Sequence, residues 1–192
     1  AASFLTSGQN VRPTRLLEAG FRFDKPTIEA FFEGTDHSTV DELNLQRYMG
    51  TWYEIARFDH RFERGLSEVT ATYTLLPDGT VRVENRGCKH KKPYDVCKTA
   101  EGRAKVPDSS QPGKLKVSFF LSFYSDYYVL ELDQEEYNYV LIGSSSDKYL
   151  WILSRTPILP EEIKKKLLDA AIRRGYDVDK LIWVEQREKN LK

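Results

Sequence analysis

The chain has 192 residues, enough for one sizeable core, or for one domain and an appendage. Its 29 basic and 29 acidic side chains cancel, so no global field attracts nucleic acid or an anionic surface, and any electrostatic preference must come from a local patch. Hydrophobic residues make up 40% and aromatic residues 12%, which suits a β-rich globular domain, and no apolar run approaches the roughly 18 residues that span a bilayer.

The first ten residues, AASFLTSGQN, lack a charged n-region and a sustained apolar run, so no signal peptide is expected. Residues 13–19 and 27–33 read as two short helices, each followed by a glycine suited to a helix end, Gly20 and Gly34. The stretch GTDHSTVDE reads as a polar linker, which sets an extension at 1–41 apart from a domain at 42–192.

Strands then follow at turn-punctuated intervals. The first is GTWYEIARF at 50–58, with β-branched or aromatic residues at nearly every second position. Residues 69–76 come next, and Asp78 and Gly79 suit the tight hairpin that leads to 80–87. Residues 99–107, 114–122, 127–132, 137–143 and 148–155 complete eight. Leu115, Val117 and Phe119 alternate with Lys116 and Ser118, the pattern of a strand with one apolar face. Eight antiparallel strands form an all-β up-and-down barrel just wide enough for one small ligand.

Pro160, acidic residues at 161 and 162, Arg173, Arg174 and Gly175 delimit one helix. Ile163, Leu167, Ala171 and Arg174 share a face that Leu168 and Ile172 widen towards the barrel. Residues 181–185 read as a ninth, outer strand, with Trp183 expected under the helix.

Cys88 and Cys97 flank a hairpin loop, and with three scattered histidines they offer no metal spacing, so neither metal nor cofactor is expected. They are either two unpaired thiols or, in an oxidising compartment, a cross-strand disulfide.

The GxW at Gly50 to Trp52, the arginine that ends YLWILSRTP, the helix after it and the strings GTWYEIARFDHRFERGL and LKVSFF resemble the lipocalins. The similarity is to bacterial outer-membrane lipocalins and their apolipoprotein D relatives, over about residues 43–186. It implies that Trp52 stacks under the Arg155 guanidinium to close one end of the barrel. It also implies a cavity lined by Ala71, Tyr73, Val83, Asn85, Val117, Phe119, Tyr127, Val129, Tyr149 and Trp151. By the same alternation Glu131 points inward unless a bulge displaces it.

Up-and-down connectivity gathers Arg61, Arg64, Lys89, Lys91 and Lys92 at the open mouth, where they would favour a lipid with an acidic head. The family implies a carrier of a fatty acid, lysophospholipid or similar small hydrophobic ligand, and no enzyme. It allows a homodimer and peripheral membrane association, and points to the outer membrane or periplasm. Two alternatives stand beside it: an interaction module with a barrel filled by side chains, and a lipid isomerase that uses the Cys88 thiol. Finally, SGQNVRPTRLLEAGFRFDKPTIEAFF resembles the C-terminal tail of NAD-dependent, short-chain-dehydrogenase-like epimerases, although no dinucleotide fingerprint accompanies it. A natural fusion of that kind would place the chain in the cytoplasm.

Overall fold

The computed structural model describes residues 34–90, 94–120 and 123–187. The two helices expected before residue 34, and Lys91 and Lys92, lie outside them.

A short helix, α1 (Leu45–Tyr48), precedes eight barrel strands: β1 (Gly50–Phe58), β2 (Ser67–Leu75), β3 (Val81–Lys89), β4 (Val96–Lys105), β5 (Lys114–Phe120), β6 (Phe123–Leu132), β7 (Tyr139–Gly143) and β8 (Leu150–Ser154). Helix α2 (Glu161–Arg173) and an outer strand, β9 (Leu181–Trp183), follow. All pairings are antiparallel and run in chain order from β2 to β8, and β1 closes the barrel by pairing with both β8 and β2. β4 starts at Val96 and β6 at Phe123, both earlier than the sequence suggests, because the hairpins extend past their apolar alternation.

β1 changes partners along its length. Gly50 to Tyr53 pair with β2, whereas Ala56 to Phe58 pair with β9, and a bulge between Glu54 and Ala56 shifts the register against β8. Gln186 bridges the split where β1 leaves β2, donating to the Glu54 carbonyl at 2.8 Å and the Val69 carbonyl at 2.9 Å.

Two apolar clusters result. Trp52, Tyr48, Tyr73, Val83, Leu115, Val129, Ile142 and Leu153 belong to the one inside the barrel. The other fills the space between the outer wall and α2, where Leu167, Ala170 and Ala171 meet Ile55, Leu130, Leu141 and Ile152. Two expectations for this helix fail. Ile172 is exposed, since the buried stripe centres on Leu167 and Ala171, and Trp183 lies at the surface beside the helix with the Lys164 ammonium 4.3 Å from its ring centre. Arg174 turns back instead to bind Glu131 Oε1 at 3.0 Å and the Leu130 carbonyl at 2.8 Å. A bulge between Val129 and Glu131 puts that glutamate outside the barrel.

One pairing is incomplete in a way that shapes the opening. β4 pairs with β3 along its whole length, but with β5 only at Arg103 to Lys105. Among the described residues no ladder pairing with β5 continues along β4 from 96 to 101, while β5 still lies against Gly102, where a Cβ would meet the Ser118 carbonyl oxygen at 2.5 Å.

Candidate functional site

The closed end is built around Arg155. Its guanidinium carbon lies 3.9 Å from the centre of the Trp52 ring, and Trp52 is fully buried. The same guanidinium donates to the carbonyls of Arg47 (2.8 Å), Met49 (2.8 Å), Thr51 (3.1 Å), Tyr48 (3.2 Å) and Tyr137 (3.2 Å). It therefore collects the loose C-terminal carbonyls of α1, which a four-residue helix cannot satisfy internally. Gly50 has a φ of +95°, and a Cβ there would sit 3.3 Å from Arg155 Nη1, which is why this position takes glycine.

Above this plug is a cavity of about 1080 Å³, large for a small-molecule site. Ala71, Tyr73, Val83, Asn85, Val117, Phe119, Tyr127, Tyr149 and Trp151 all border it. Val129 does not; it packs in the interior cluster beneath. The deep end carries three phenols: the Tyr127 hydroxyl lies 2.7 Å from that of Tyr48 and 2.9 Å from that of Tyr73. Burial pushes all three well above the ordinary phenol range, so they remain neutral donors and acceptors. Asn85 Oδ1 is buried and accepts no hydrogen bond from any described residue, which leaves an acceptor facing the cavity.

A polar network in one wall escapes a reading from the sequence. Arg57, 2% exposed, donates to Glu54 Oε1 at 2.5 Å and to the Glu63 carbonyl at 2.7 Å. Glu63 in turn lies 2.8 Å from His60 Nε2 and accepts from the Trp151 indole at 3.2 Å. Burial, with the Glu63 charge next to it, pushes Glu54 up to about 8. Burial also opposes charge on Glu63, yet His60, the Trp151 N–H and Arg57 outweigh it and hold that carboxyl low. The loop 59–66 is thus strapped to the barrel by a buried guanidinium. Glu54 had a signal, since it lies two residues after the inward Trp52; Arg57 faces inward only because of the bulge.

At the opening Lys89 and Lys98 border the cavity. Arg61 and Arg64 belong to the mouth loop but turn away from the lumen, Arg61 over the Phe62 ring at 4.9 Å and Arg64 to Asp59 at 2.8 Å. Cys88 and Cys97 face each other across β3 and β4 and are joined in a disulfide. Cys88 therefore carries no thiol, which removes the basis of the isomerase alternative, and the cavity removes that of a filled barrel. Glu68, His90 and Asp95 bring ligand atoms within 4.8 Å of one another, but Arg187 occupies the cluster, 3.2 Å from Asp95 and 3.1 Å from His90. The group is an ion-pair knot that ties the C-terminal segment to the β3–β4 hairpin.

Comparison with known proteins gives two family matches, a lipocalin-like domain over residues 43–186 and a domain of unknown function (DUF1731) over residues 1–33. The outer membrane lipoprotein Blc of Citrobacter freundii is 48% identical over 149 residues, covering 78% of this chain and 82% of that protein. Temperature-induced lipocalin-1 of Arabidopsis thaliana is 42% identical, covering 78% and 82%. Among solved structures, insecticyanin from the tobacco hornworm Manduca sexta superposes with a TM-score of 0.64 at 22% identity, covering 80% of this chain and 86% of that one.

Proposed function

This chain belongs to the lipocalin family, and from that membership we propose that its barrel carries a single-chain lipid with an acidic head, a fatty acid or a lysophospholipid. Lipocalins bind small hydrophobic ligands and are generally binding or transport proteins. The cavity supplies the finer reading. At about 30 Å³ for a group the size of a water molecule, its 1080 Å³ takes about 36 heavy atoms. That is ample for one long acyl chain. Burying the tail contributes about 0.8 kcal/mol per methylene. The head then lies at the opening, where Lys89 and Lys98 meet a carboxylate or phosphate and Asn85 Oδ1 takes a hydroxyl.

The observation that carries this reading is a mostly apolar lumen with Lys89 and Lys98 at its rim. Mass spectrometry of what organic solvent releases from the purified protein identifies the occupant. Affinities for a fatty acid and for the fatty alcohol of equal length then test the head group: the acid should bind about tenfold more tightly, and Lys89→Ser with Lys98→Ser should erase the difference. Equal affinities in the unaltered protein would refute the acidic head; an empty lumen that takes neither would refute the carrier. The stretch read as a linker joins the barrel instead, the Asp36 N–H donating to the Arg174 carbonyl at 2.8 Å and the Val40 N–H to the Val129 carbonyl at 2.9 Å, so the extension read as 1–41 ends earlier, and we propose that residues 1–33 form a unit of their own. The two family matches, ending at residue 33 and beginning at 43, support it.

A further inference from the structure

We propose that the deep end of the lumen is a subsite for an oxygen at the far end of the ligand, so that the barrel is built for an acyl lipid carrying a ketone or a hydroxyl near its methyl end. The hydrogen bonds at that end do not balance. Each phenol has one proton to give and two lone pairs with which to receive. The Tyr127 hydroxyl lies 2.7 Å from that of Tyr48 and 2.9 Å from that of Tyr73, and these two contacts use two of the three protons. Whichever way the hydrogens turn, one O–H is left over, and among the described residues no further acceptor meets any of the three oxygens. Glu54 and Glu63 are the carboxyls that bear on Tyr73, but Glu54 is taken by Arg57, and Glu63 by His60 and the Trp151 indole. Two other buried phenols differ. Tyr137 reaches Gln134 Oε1 at 3.4 Å and Tyr176 lies 3.1 Å from His37 Nδ1, so each has a group that can take its proton.

A donor shut away from water without an acceptor is costly, and phenylalanine would fill the same space without one. The Tyr48 ring centre lies 5.1 Å from that of Trp52 and 5.6 Å from that of Tyr73, so these rings form the floor of the cavity above the Arg155 plug. Around them Ala71, Val83, Leu115, Ile142 and Leu153 border the same cavity and offer only apolar side chains. Arg155 has given its donors to carbonyls beneath the floor, which leaves no free guanidinium there to hold a carboxylate. Neutral phenols in an apolar surround therefore select a neutral oxygen. A trapped water is the rival acceptor, and it would find its other partners only among the same phenol oxygens. The subsite rests on the lipid-carrier reading, which fixes the acidic head at the rim and so brings the opposite end of the chain to the phenols.

The test compares saturated fatty acids of graded length, each with and without a ketone next to its terminal methyl, by displacement of a fluorescent fatty acid. At the length that spans rim and phenols the ketone should raise affinity about tenfold. At shorter lengths, where it stops against apolar wall, it should lower affinity, and a ketone at mid-chain should weaken binding at every length. Tyr48→Phe with Tyr73→Phe and Tyr127→Phe keeps the rings and removes the hydroxyls, so the plain acid should then bind the better of the two. Circular dichroism reads the fold of that variant, and the comparisons on the unaltered chain stand without it. Plain acids that bind as tightly as their ketones at every length, the result if a trapped water takes the third proton, would overturn the subsite and leave the carrier standing. So would an equal gain from a mid-chain ketone, or a ketone preference that survives in the folded triple variant. Failure of every acid to bind, plain or oxygenated, would refute the carrier and the subsite with it.

Discussion

Arg155→Ala tests how the closed end is held. The substitution deletes one cation–π contact, worth about 1 to 2 kcal/mol when shielded, and donors to five carbonyls. The Tyr48 carbonyl keeps the Trp52 indole at 2.9 Å, and the Arg47 carbonyl is exposed enough to take water. About three net hydrogen bonds are then lost, near 1 kcal/mol each because the guanidinium is half-exposed. The sum is about 4 kcal/mol, a large share of the roughly 5 to 15 kcal/mol that holds a domain folded. Urea unfolding followed by tryptophan fluorescence measures it. Arg155→Lys keeps the charge but loses the planar fork, and should recover about half of the loss. A cost under about 1 kcal/mol for the alanine variant, or equal costs for alanine and lysine, would refute the claim that the fork of donors organises this end.

Gly50→Ala places a Cβ at positive φ and 3.3 Å from Arg155 Nη1, and should cost about 1 to 3 kcal/mol in the same assay. Glu54 titrates near 8 folded against an ordinary 4.5, so between those values the folded chain holds more protons than the unfolded one. Its contribution to stability is complete below pH 4.5 and lost as pH rises towards 8, and Glu54→Gln should flatten the decline in urea midpoint across that window. Cys88→Ser with Cys97→Ser opens a cross-link between residues nine apart, and should lower stability by about 2 to 3 kcal/mol. Val83→Trp puts an indole into the lumen, and should weaken long-chain fatty-acid binding more than short-chain binding, read by displacement of a fluorescent fatty acid.

The strands were legible because a half-buried wall forces apolar and polar residues to alternate, and the alternation that turns Trp52 inward also turns Tyr73, Val83 and Val117 towards the lumen. The rule fails wherever the backbone gains a residue. Glu131 was assigned inward subject to a bulge, and the bulge is there; the one at Glu54 to Ala56 left no mark in the sequence, and Arg57 was missed with it. Helix α1 escaped because four residues carry no helical period. Arg155 and Tyr137 hold it from outside, with the Arg47 guanidinium 4.2 Å from the Tyr137 ring centre. His60 and Glu63 stand in a loop, where no periodicity reports direction. Where the β4–β5 ladder ends is a matter of strand length relative to β5, which local pattern does not encode.

The bulge in β1 also explains why a hydrophobic carrier keeps ions in its wall. The lower half of β1 must pair with β2 to close the barrel, while the upper half leaves β2 for β9 and lies beneath the cluster that packs on α2. Shifting the register between Glu54 and Ala56 lets Ile55 and Ala56 face that outer cluster and turns Arg57 to the interior. A guanidinium buried to 2% exposure needs acceptors for its donors, and Glu54, itself pushed up to about 8 by burial, takes only one of them. The loop answers with the Glu63 and Leu66 carbonyls at 2.7 and 3.3 Å. The course of residues 59–66 is thus fixed from beneath by a buried charge, while Phe62 at their tip stays bare at the opening. Removing the Arg57 guanidinium should therefore loosen the rim before it loosens the barrel.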